Sequence, residues 1–294
     1  MHESYIENIS SSHHVIYAGI ALTICFVLQL CACANSRYDS GRLYDTVSGL
    51  SVALACISAY FIRGLHFERQ TLATTLVCIW GVRLSAYLRA RTLPPAKTNA
   101  VELLFPRLLW GLASALPTVL CNLDEKEYMT WSTIEQAGFF MAIIGLTMET
   151  IADEQKRRWF LAHTASRPSK DSRETPICSN GLWSISRHPN FFGEICFQFG
   201  VFLICADAIP KGIIVCPFLI ALMLLVFDGG LLTQEQYRNH KYLLYPSYLH
   251  YKQSTSLLIP CPPPIYRALG AVGKKVFCLQ FSCYDEVLVG PNEV

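Results

Sequence analysis

Long apolar stretches, separated by short polar segments, recur along most of the chain. A membrane-spanning helix needs about 20 mainly apolar residues, because the hydrocarbon core of a bilayer is about 30 Å thick. We therefore predict an all-helical fold, a polytopic membrane bundle of about seven transmembrane helices. The predicted spans are Val15–Ala34, Val47–Ile62, Thr71–Leu88, Leu103–Leu120, Ile134–Ile151, Phe192–Ile209 and Ile213–Leu232.

The composition supports a membrane protein and excludes several other classes. Of the 294 residues, 52% are hydrophobic and 16% are charged, whereas about 25% are charged in an average soluble protein. A disordered chain, a coiled coil and a highly charged nucleic-acid binder are excluded. The 13 cysteines form no C-x-x-C pair, so we expect no metal site and interpret those in apolar runs as small buried residues. The expected partner is the lipid bilayer, and no nucleic acid.

Basic residues are distributed unequally between the two sides of the predicted bundle. With seven spans, 18 lysine and arginine residues fall on one side and four on the other, while Arg83 and Arg107 lie within spans. The side rich in basic residues faces the cytosol in most membrane proteins. We therefore predict a lumenal N-terminal segment, 1–14, and a cytosolic C-terminus.

The densest group of polar residues is Ser186–Glu194, at the start of the sixth span. Arg187 has a planar set of donors suited to phosphate, and His188 can donate or accept a hydrogen bond. Asn190 and Glu194 are four residues apart and share one helix face. The alternative is a simple anchor at the membrane edge, in which Arg187 binds lipid phosphate and Glu194 pairs with Arg187.

A second group lies at the end of the fifth span. Glu149, Asp153 and Arg157 recur every four residues, so they form an acid, acid, base stripe on one helix face. The functional interpretation is the wall of a polar site that holds sugar and phosphate groups. The alternative is a solvated helix end with an ordinary ion pair between residues four apart.

The third span contains another such stripe, formed by Arg83, Tyr87 and Arg91. An arginine within a span suggests a functional site, because a charge in the bilayer is costly. The alternative is that Arg83 extends to the membrane surface or pairs with Asp45.

Tyrosines recur near the C-terminal end of the chain. This amino acid favours membrane interfaces, which would account for most of them. The tyrosines are Tyr237, Tyr242, Tyr245, Tyr248 and Tyr251.

Four segments, taken together and in order, resemble one known family. The segments read WGVRLSAYLRAR, TMETIADEQKRRWF, GLWSISRHPNFFGE and YLHYKQSTSLLIPCPPP. They resemble the membrane family that contains the steroid 5-alpha-reductase C-terminal domain, in its DUF1295 branch. The resemblance implies a seven-helix membrane reductase that binds NADPH in a cavity open to the cytosol. It also implies a reductase domain over residues 15–264, with 265–294 as a cytosolic tail.

The resemblance also implies roles for individual residues. Asn190 and Glu194 would contact the nicotinamide end of NADPH. Asp153, Arg187 and His188 would serve its ribose and phosphates, next to the wall that includes Arg157. Either Tyr248 or Tyr251 would close the site.

The expected reaction is reduction of an activated C=C bond in a lipid-like substrate, a steroid or another enone. Steroid reductases use a glutamate in the second span and a tyrosine in the third, whereas this chain has Asp45 and Tyr87 near those places. Either residue would protonate the carbonyl oxygen or donate a hydrogen bond to it, while hydride reaches the β carbon. The expected location is the membrane of the endoplasmic reticulum.

Two other functions stay open. Isoprenylcysteine carboxyl methyltransferases share an R-H-P-x-Y segment, a downstream glutamate and a tyrosine-containing ending, and they bind S-adenosylmethionine. The third hypothesis is a non-catalytic membrane scaffold that retains the fold, because the second span lacks the glutamate.

Overall fold

The computed structural model describes residues 2–35, 42–90, 100–163, 177–226 and 230–285. Side chains are described in these ranges except at 2–14, 33, 35, 42, 44, 45 and 100–103. Every regular element in the described ranges is a helix, which confirms the all-helical fold.

The first five helices contain the first five predicted spans. Apolar stretches of this length form helices in a bilayer because each backbone group must find its hydrogen-bond partner within the segment. The helices are α1 (His2–Asn35), α2 (Arg42–Arg63), α3 (Glu68–Ala90), α4 (Ala100–Leu123) and α5 (Thr133–Ala162).

The second half of the chain forms shorter helices. Proline starts three of them, where its fixed φ suits the first helical turn and its missing N–H is not needed. The helices are α6 (Pro189–Ile204), α7 (Val215–Val226), α8 (Leu231–Tyr242), α9 (Pro246–Ser254), α10 (Pro263–Ala268) and α11 (Ala271–Cys278). Short 3-10 turns cover Gly181–Ser184, Lys211–Ile214 and Ser282–Asp285.

Six segments in the described ranges are long and apolar enough to cross a membrane. They include α1 to α5 and a segment that runs over α7 and α8, Lys211–Tyr242. The predicted sixth span corresponds to α6, which is apolar but has only 16 residues. At 1.5 Å per residue it is about 24 Å long, so the predicted count of seven is not confirmed.

The chain divides into two compact units. One comprises Met1–Ile143 and Phe197–Ala221. Within this unit α2 packs against α1, α3 and α4. A Cβ atom on Gly49 would overlap the carbonyl oxygen of Gly81, and a Cβ on Gly81 would overlap that of Gly49. The two glycines therefore let the backbones of α2 and α3 approach closely, as small residues do in membrane helix pairs.

The other unit comprises Ile144–Cys196 and Leu222–Val294. In it α5 and α6 also approach closely, because a Cβ on Gly193 would lie 2.8 Å from the carbonyl oxygen of Gly145. An apolar cluster connects α6 and α8 to the C-terminal segments. Its buried members are Phe191, Leu231, Leu257, Leu258 and Tyr284.

The segment that follows α9 lies against the start of α6. The backbone N–H of Arg187 donates to the carbonyl of Ser256 at 2.8 Å, and the Ser186 hydroxyl donates to the carbonyl of Leu258 at 2.7 Å. The N–H of Cys261 donates to the carbonyl of Ile185 at 2.9 Å. These bonds join two of the sequence motifs, SRHP and TSLLIP, although about 70 residues separate them.

Candidate functional site

A buried ionic cluster lies where the SRHP motif meets α8. The Oε2 atom of Glu235 is 3.1 Å from Nη1 of Arg187, and its Oε1 is 3.4 Å from Nη1 of Arg238. Glu235 is fully buried and the side chain of Arg187 is 1% exposed. Because an isolated buried charge is costly, the carboxylate and the two guanidinium groups depend on one another.

His188 completes this cluster from the residue next to Arg187. Its Nε2 atom lies 2.9 Å from Oε1 of Glu235 and 3.3 Å from Nη1 of Arg238. Burial, together with the positive charge of Arg238, lowers the pKa of His188 to about 3. The imidazole is therefore neutral near pH 7. The short contact with the carboxylate favours a proton on Nε2, which makes Nδ1 a hydrogen-bond acceptor.

The C-terminal segment also contributes to the cluster. The Nη2 of Arg187 donates to Oε1 of Gln280 at 2.6 Å. The side-chain amide of Asn239 donates to the carbonyl of Tyr284 at 2.9 Å. Lys252 forms an ion pair with Asp285 at 2.8 Å. Residues of the predicted cytosolic tail therefore contact the site directly.

Tyr248 and Tyr251 are buried, and both hydroxyl groups bind protein atoms. Tyr248 donates to Oδ1 of Asn239 at 3.0 Å, and Tyr251 donates to the carbonyl of Trp183 at 2.6 Å. Burial raises the pKa of both phenols, so they stay protonated as donors. In this arrangement the two tyrosines connect α9 to α8 and to the turn before α6.

Three carboxylates on α5 and α6 are nearly fully buried. Glu149, Asp153 and Glu194 are 2%, 4% and 7% exposed. Asn190 lies one turn before Glu194, and its buried Oδ1 has no hydrogen-bond partner in the described part of the chain. The Nδ1 of His188 likewise has none among the described residues. The segment from His188 to Asn190 thus presents two unused acceptors.

Two ion pairs that the sequence suggested as alternatives to a functional site do not form as suggested. Arg157 does not pair with Asp153; its Nε and Nη2 donate to Glu154 at 2.7 and 2.8 Å on an exposed face. The cause is that Asp153 points into the protein while Glu154 faces outward with Arg157. Arg187 pairs with Glu235 and not with Glu194.

The candidate catalytic residues belong to the unit that comprises Met1–Ile143 and Phe197–Ala221. Tyr87 and Arg83 lie on α3 and are both half-buried. Asp45 lies on α2, but its side chain is outside the described part of the structure, as is Arg91. Their proposed roles stay predictions.

The sequence analysis missed Glu235 and Arg238, which are central to the cluster. A signal was present, because the two are three residues apart and so share a helix face just after an apolar span. For Gln280 no such signal exists, since 93 residues separate it from Arg187.

No group of three or more potential metal ligands occurs among the described residues. No curated protein and no solved structure matches the chain. A family model, described as protein of unknown function (DUF1295), matches residues 33–100 and 96–255. Because these matches cover more than half of its length, the chain belongs to the DUF1295 family.

Proposed function

We propose that this membrane protein is an NADPH-dependent reductase of an activated C=C bond in a lipid-like enone. The observation that carries the proposal is the pair of buried acceptors, Nδ1 of His188 and Oδ1 of Asn190, beside a charged cluster. Buried acceptors normally have donors, and leaving one without a partner costs about 1–3 kcal/mol. A ligand that supplies N–H donors would therefore be stabilised here.

The residues present fit the nicotinamide end of NADPH. Its carboxamide carries two N–H donors, which match the two acceptors, and a carbonyl oxygen. Glu194, one turn after Asn190 on α6, adds a further buried carboxylate to the same helix face. The guanidinium of Arg187 is already bound to Glu235 and Gln280. In this proposal Arg187 therefore positions His188 and Asn190, and its contact with a cofactor phosphate is a secondary expectation.

Bound NADPH would supply the hydride. Tyr87 or Asp45 would donate a proton or a hydrogen bond to the carbonyl oxygen of the substrate, which stabilises the developing enolate. A substrate that partitions into lipid suits a protein whose helices are apolar enough to span a bilayer. The proposal includes a cytosolic C-terminus, as the distribution of basic residues indicates, and the membrane of the endoplasmic reticulum.

An S-adenosylmethionine-dependent methyltransferase is the second candidate. The ammonium group of that cofactor also carries N–H donors, so the acceptors of His188 and Asn190 would suit it as well. A non-catalytic scaffold is the third candidate. The hydrogen bonds that Arg187, Tyr248 and Tyr251 form with other residues of the same chain are compatible with it.

Titration of the detergent-solubilised chain with NADPH, NADH and S-adenosylmethionine separates these candidates. We expect the tightest binding for NADPH, followed by loss of its absorbance when an enone lipid is added. Tightest binding of S-adenosylmethionine would replace the reductase with the methyltransferase. If calorimetry detects no heat of binding with any of the three ligands, the result would favour the scaffold.

A further inference from the structure

The last α-helix among the described residues, α11, has an outward face that is apolar. Val272, Val276 and Phe277 are 75%, 62% and 64% exposed, while Cys278 is buried against the protein. At about 100° per residue, the three exposed side chains cover an arc of about 140°, on the side away from Cys278. Large apolar residues grouped in this way are costly in water and mark an interaction surface.

Lysines border this apolar arc on both sides. Lys275 lies on one flank and Lys274 on the other. The Nζ of Lys274 lies 4.5 Å from the ring centre of Tyr266, which holds this charge at the edge of the arc. An apolar face flanked by lysines is typical of helices that lie in the surface of an anionic membrane.

The packing of the neighbouring residues places α11 beside the end of the apolar helix α7. Leu279, directly after α11, packs on the apolar cluster of Phe191 and Leu231. Leu224 and Leu225, in the last turn of α7, pack on the same cluster, and they belong to the segment Lys211–Tyr242, which is long and apolar enough to cross a membrane. The exposed apolar surface of α11 therefore lies next to the end of an apolar helix.

We propose that α11 is a membrane-surface anchor that binds the adjacent lipid leaflet. Val272, Val276 and Phe277 would enter the boundary of the acyl chains, and Lys274 and Lys275 would contact anionic lipid headgroups. The occupant is the bilayer itself, because the surface lies next to the end of an apolar helix and its charge complements anionic lipids.

This anchor is connected to the buried ionic cluster. Two residues after α11, Gln280 accepts the hydrogen bond from Arg187 at 2.6 Å. The carbonyl of Tyr284 and the carboxylate of Asp285 follow, bound to Asn239 and Lys252. Binding of α11 to lipid would therefore hold the segment that covers Arg187. The inference does not depend on which reaction the protein catalyses.

Photo-crosslinking of the full chain in lipid nanodiscs tests the anchor. A photo-reactive amino acid replaces Val276 in one variant and Ala271 in the matched control, which is exposed on the same helix but about 140° away. We expect phospholipid adducts at position 276, several-fold more than at position 271. Adducts with a protein segment or with a second copy of the chain would overturn the proposal, as would equal lipid adducts at both positions.

Hydrogen exchange of the α11 amides tests the role of the lysines. In nanodiscs that contain phosphatidylserine, we expect exchange several-fold slower than in nanodiscs of phosphatidylcholine alone. The double variant Lys274→Gln, Lys275→Gln should remove this difference, while Val276→Asp should speed exchange in both lipids. Exchange rates independent of lipid composition in the unmodified chain would contradict binding to an anionic leaflet.

Discussion

Nε2 of His188 lies 2.9 Å from Oε1 of Glu235, although 47 residues separate the two in the chain. This contact joins the residue before α6 to α8, and both partners are fully buried. Arg187 and Arg238 bind the same carboxylate. One glutamate thus compensates two buried positive charges and orients an imidazole, so the arrangement depends on it more than on any other member.

We expect Glu235→Gln to destabilise the protein strongly. The change leaves Arg187 and Arg238 buried without a counter-charge, a loss of about 3–5 kcal/mol in the free energy of unfolding. The matched control is Glu154→Gln, because Glu154 also binds two arginines, Arg157 and Arg158, but on an exposed face. Thermal unfolding in detergent should show a large decrease for the first variant and little change for the second. Equal effects would mean that burial does not govern the strength of these pairs.

Stability should fall as the pH drops below about 6.5, the pKa of an unfolded histidine. Burial lowers the pKa of folded His188 to about 3, so the unfolded chain binds the extra proton between these two values. The contribution of neutral His188 to the free energy of unfolding is fully present above pH 6.5. It is lost progressively toward pH 3, at about 1.4 kcal/mol per pH unit.

The variant His188→Gln lacks this titration. Between about pH 6.5 and 5.5, above the range in which ordinary carboxylates protonate, its melting temperature should therefore vary less with pH than that of the unmodified protein. We compare the slopes of melting temperature against pH, because a loss of stability that is the same at every pH does not change the slope. Identical slopes would show that His188 does not resist protonation.

The crossing of α2 and α3 should tolerate no side chain at Gly81. In Gly81→Ala the new Cβ meets the backbone of Gly49, which cannot move aside as a flexible side chain could. We expect a lower melting temperature, because the two helices must separate. Gly19→Ala in α1 is the control, since nothing lies within 4 Å of its Cβ position. There the better helix propensity of alanine should leave stability unchanged or slightly raised.

Much of the fold was predictable from local sequence. The lengths of the apolar stretches predicted the first five helices. The sixth helix begins at Pro189, three residues before the predicted start at Phe192, and proline favours the first position of a helix. The end of α6 was not predictable, because the apolar run Phe192–Ile209 continues past Ile204, where the helix ends. Hydropathy registers an apolar residue in a turn in the same way as one in a helix.

The site was predictable only where its residues are close in sequence. Arg187, His188 and Asn190 stand out within one polar motif, and the burial of Arg187 and His188 agrees with a special role. The contact of Arg187 with Gln280 depends on a chain that returns after 93 residues. Such a contact follows from tertiary packing, which periodicity and spacing do not contain. Arg157 shows the converse, because a helical spacing of four did not determine its actual partner, Glu154.

The orientation in the membrane is testable with glycosylation acceptors. The excess of basic residues on one side predicts a lumenal N-terminus and a cytosolic C-terminus. An acceptor placed before residue 10 should be modified, and one placed after residue 290 should not, when each is read as a shift in mass after expression in cells. Modification of the second acceptor alone would reverse the predicted orientation.

The two residues proposed for the nicotinamide, Asn190 and Glu194, allow a test that separates binding from folding. If both serve the cofactor, Asn190→Ala and Glu194→Gln should weaken NADPH binding while the melting temperature without ligand stays near that of the unmodified protein. The loss of one buried hydrogen-bond partner costs about 1–3 kcal/mol, which is roughly a 5-fold to 150-fold decrease in affinity.

The control for this pair is Gln198→Ala, one turn beyond Glu194 on the same helix and also buried. It should keep the full increase in melting temperature on addition of NADPH, whereas the two site variants should lose most of that increase. If Glu194 is instead only a structural residue, Glu194→Gln would melt early and still show the full NADPH-induced increase. At a fixed ligand concentration, a ligand that binds only the folded state adds more stability the more tightly it binds, so melting curves with and without NADPH distinguish these outcomes for each variant.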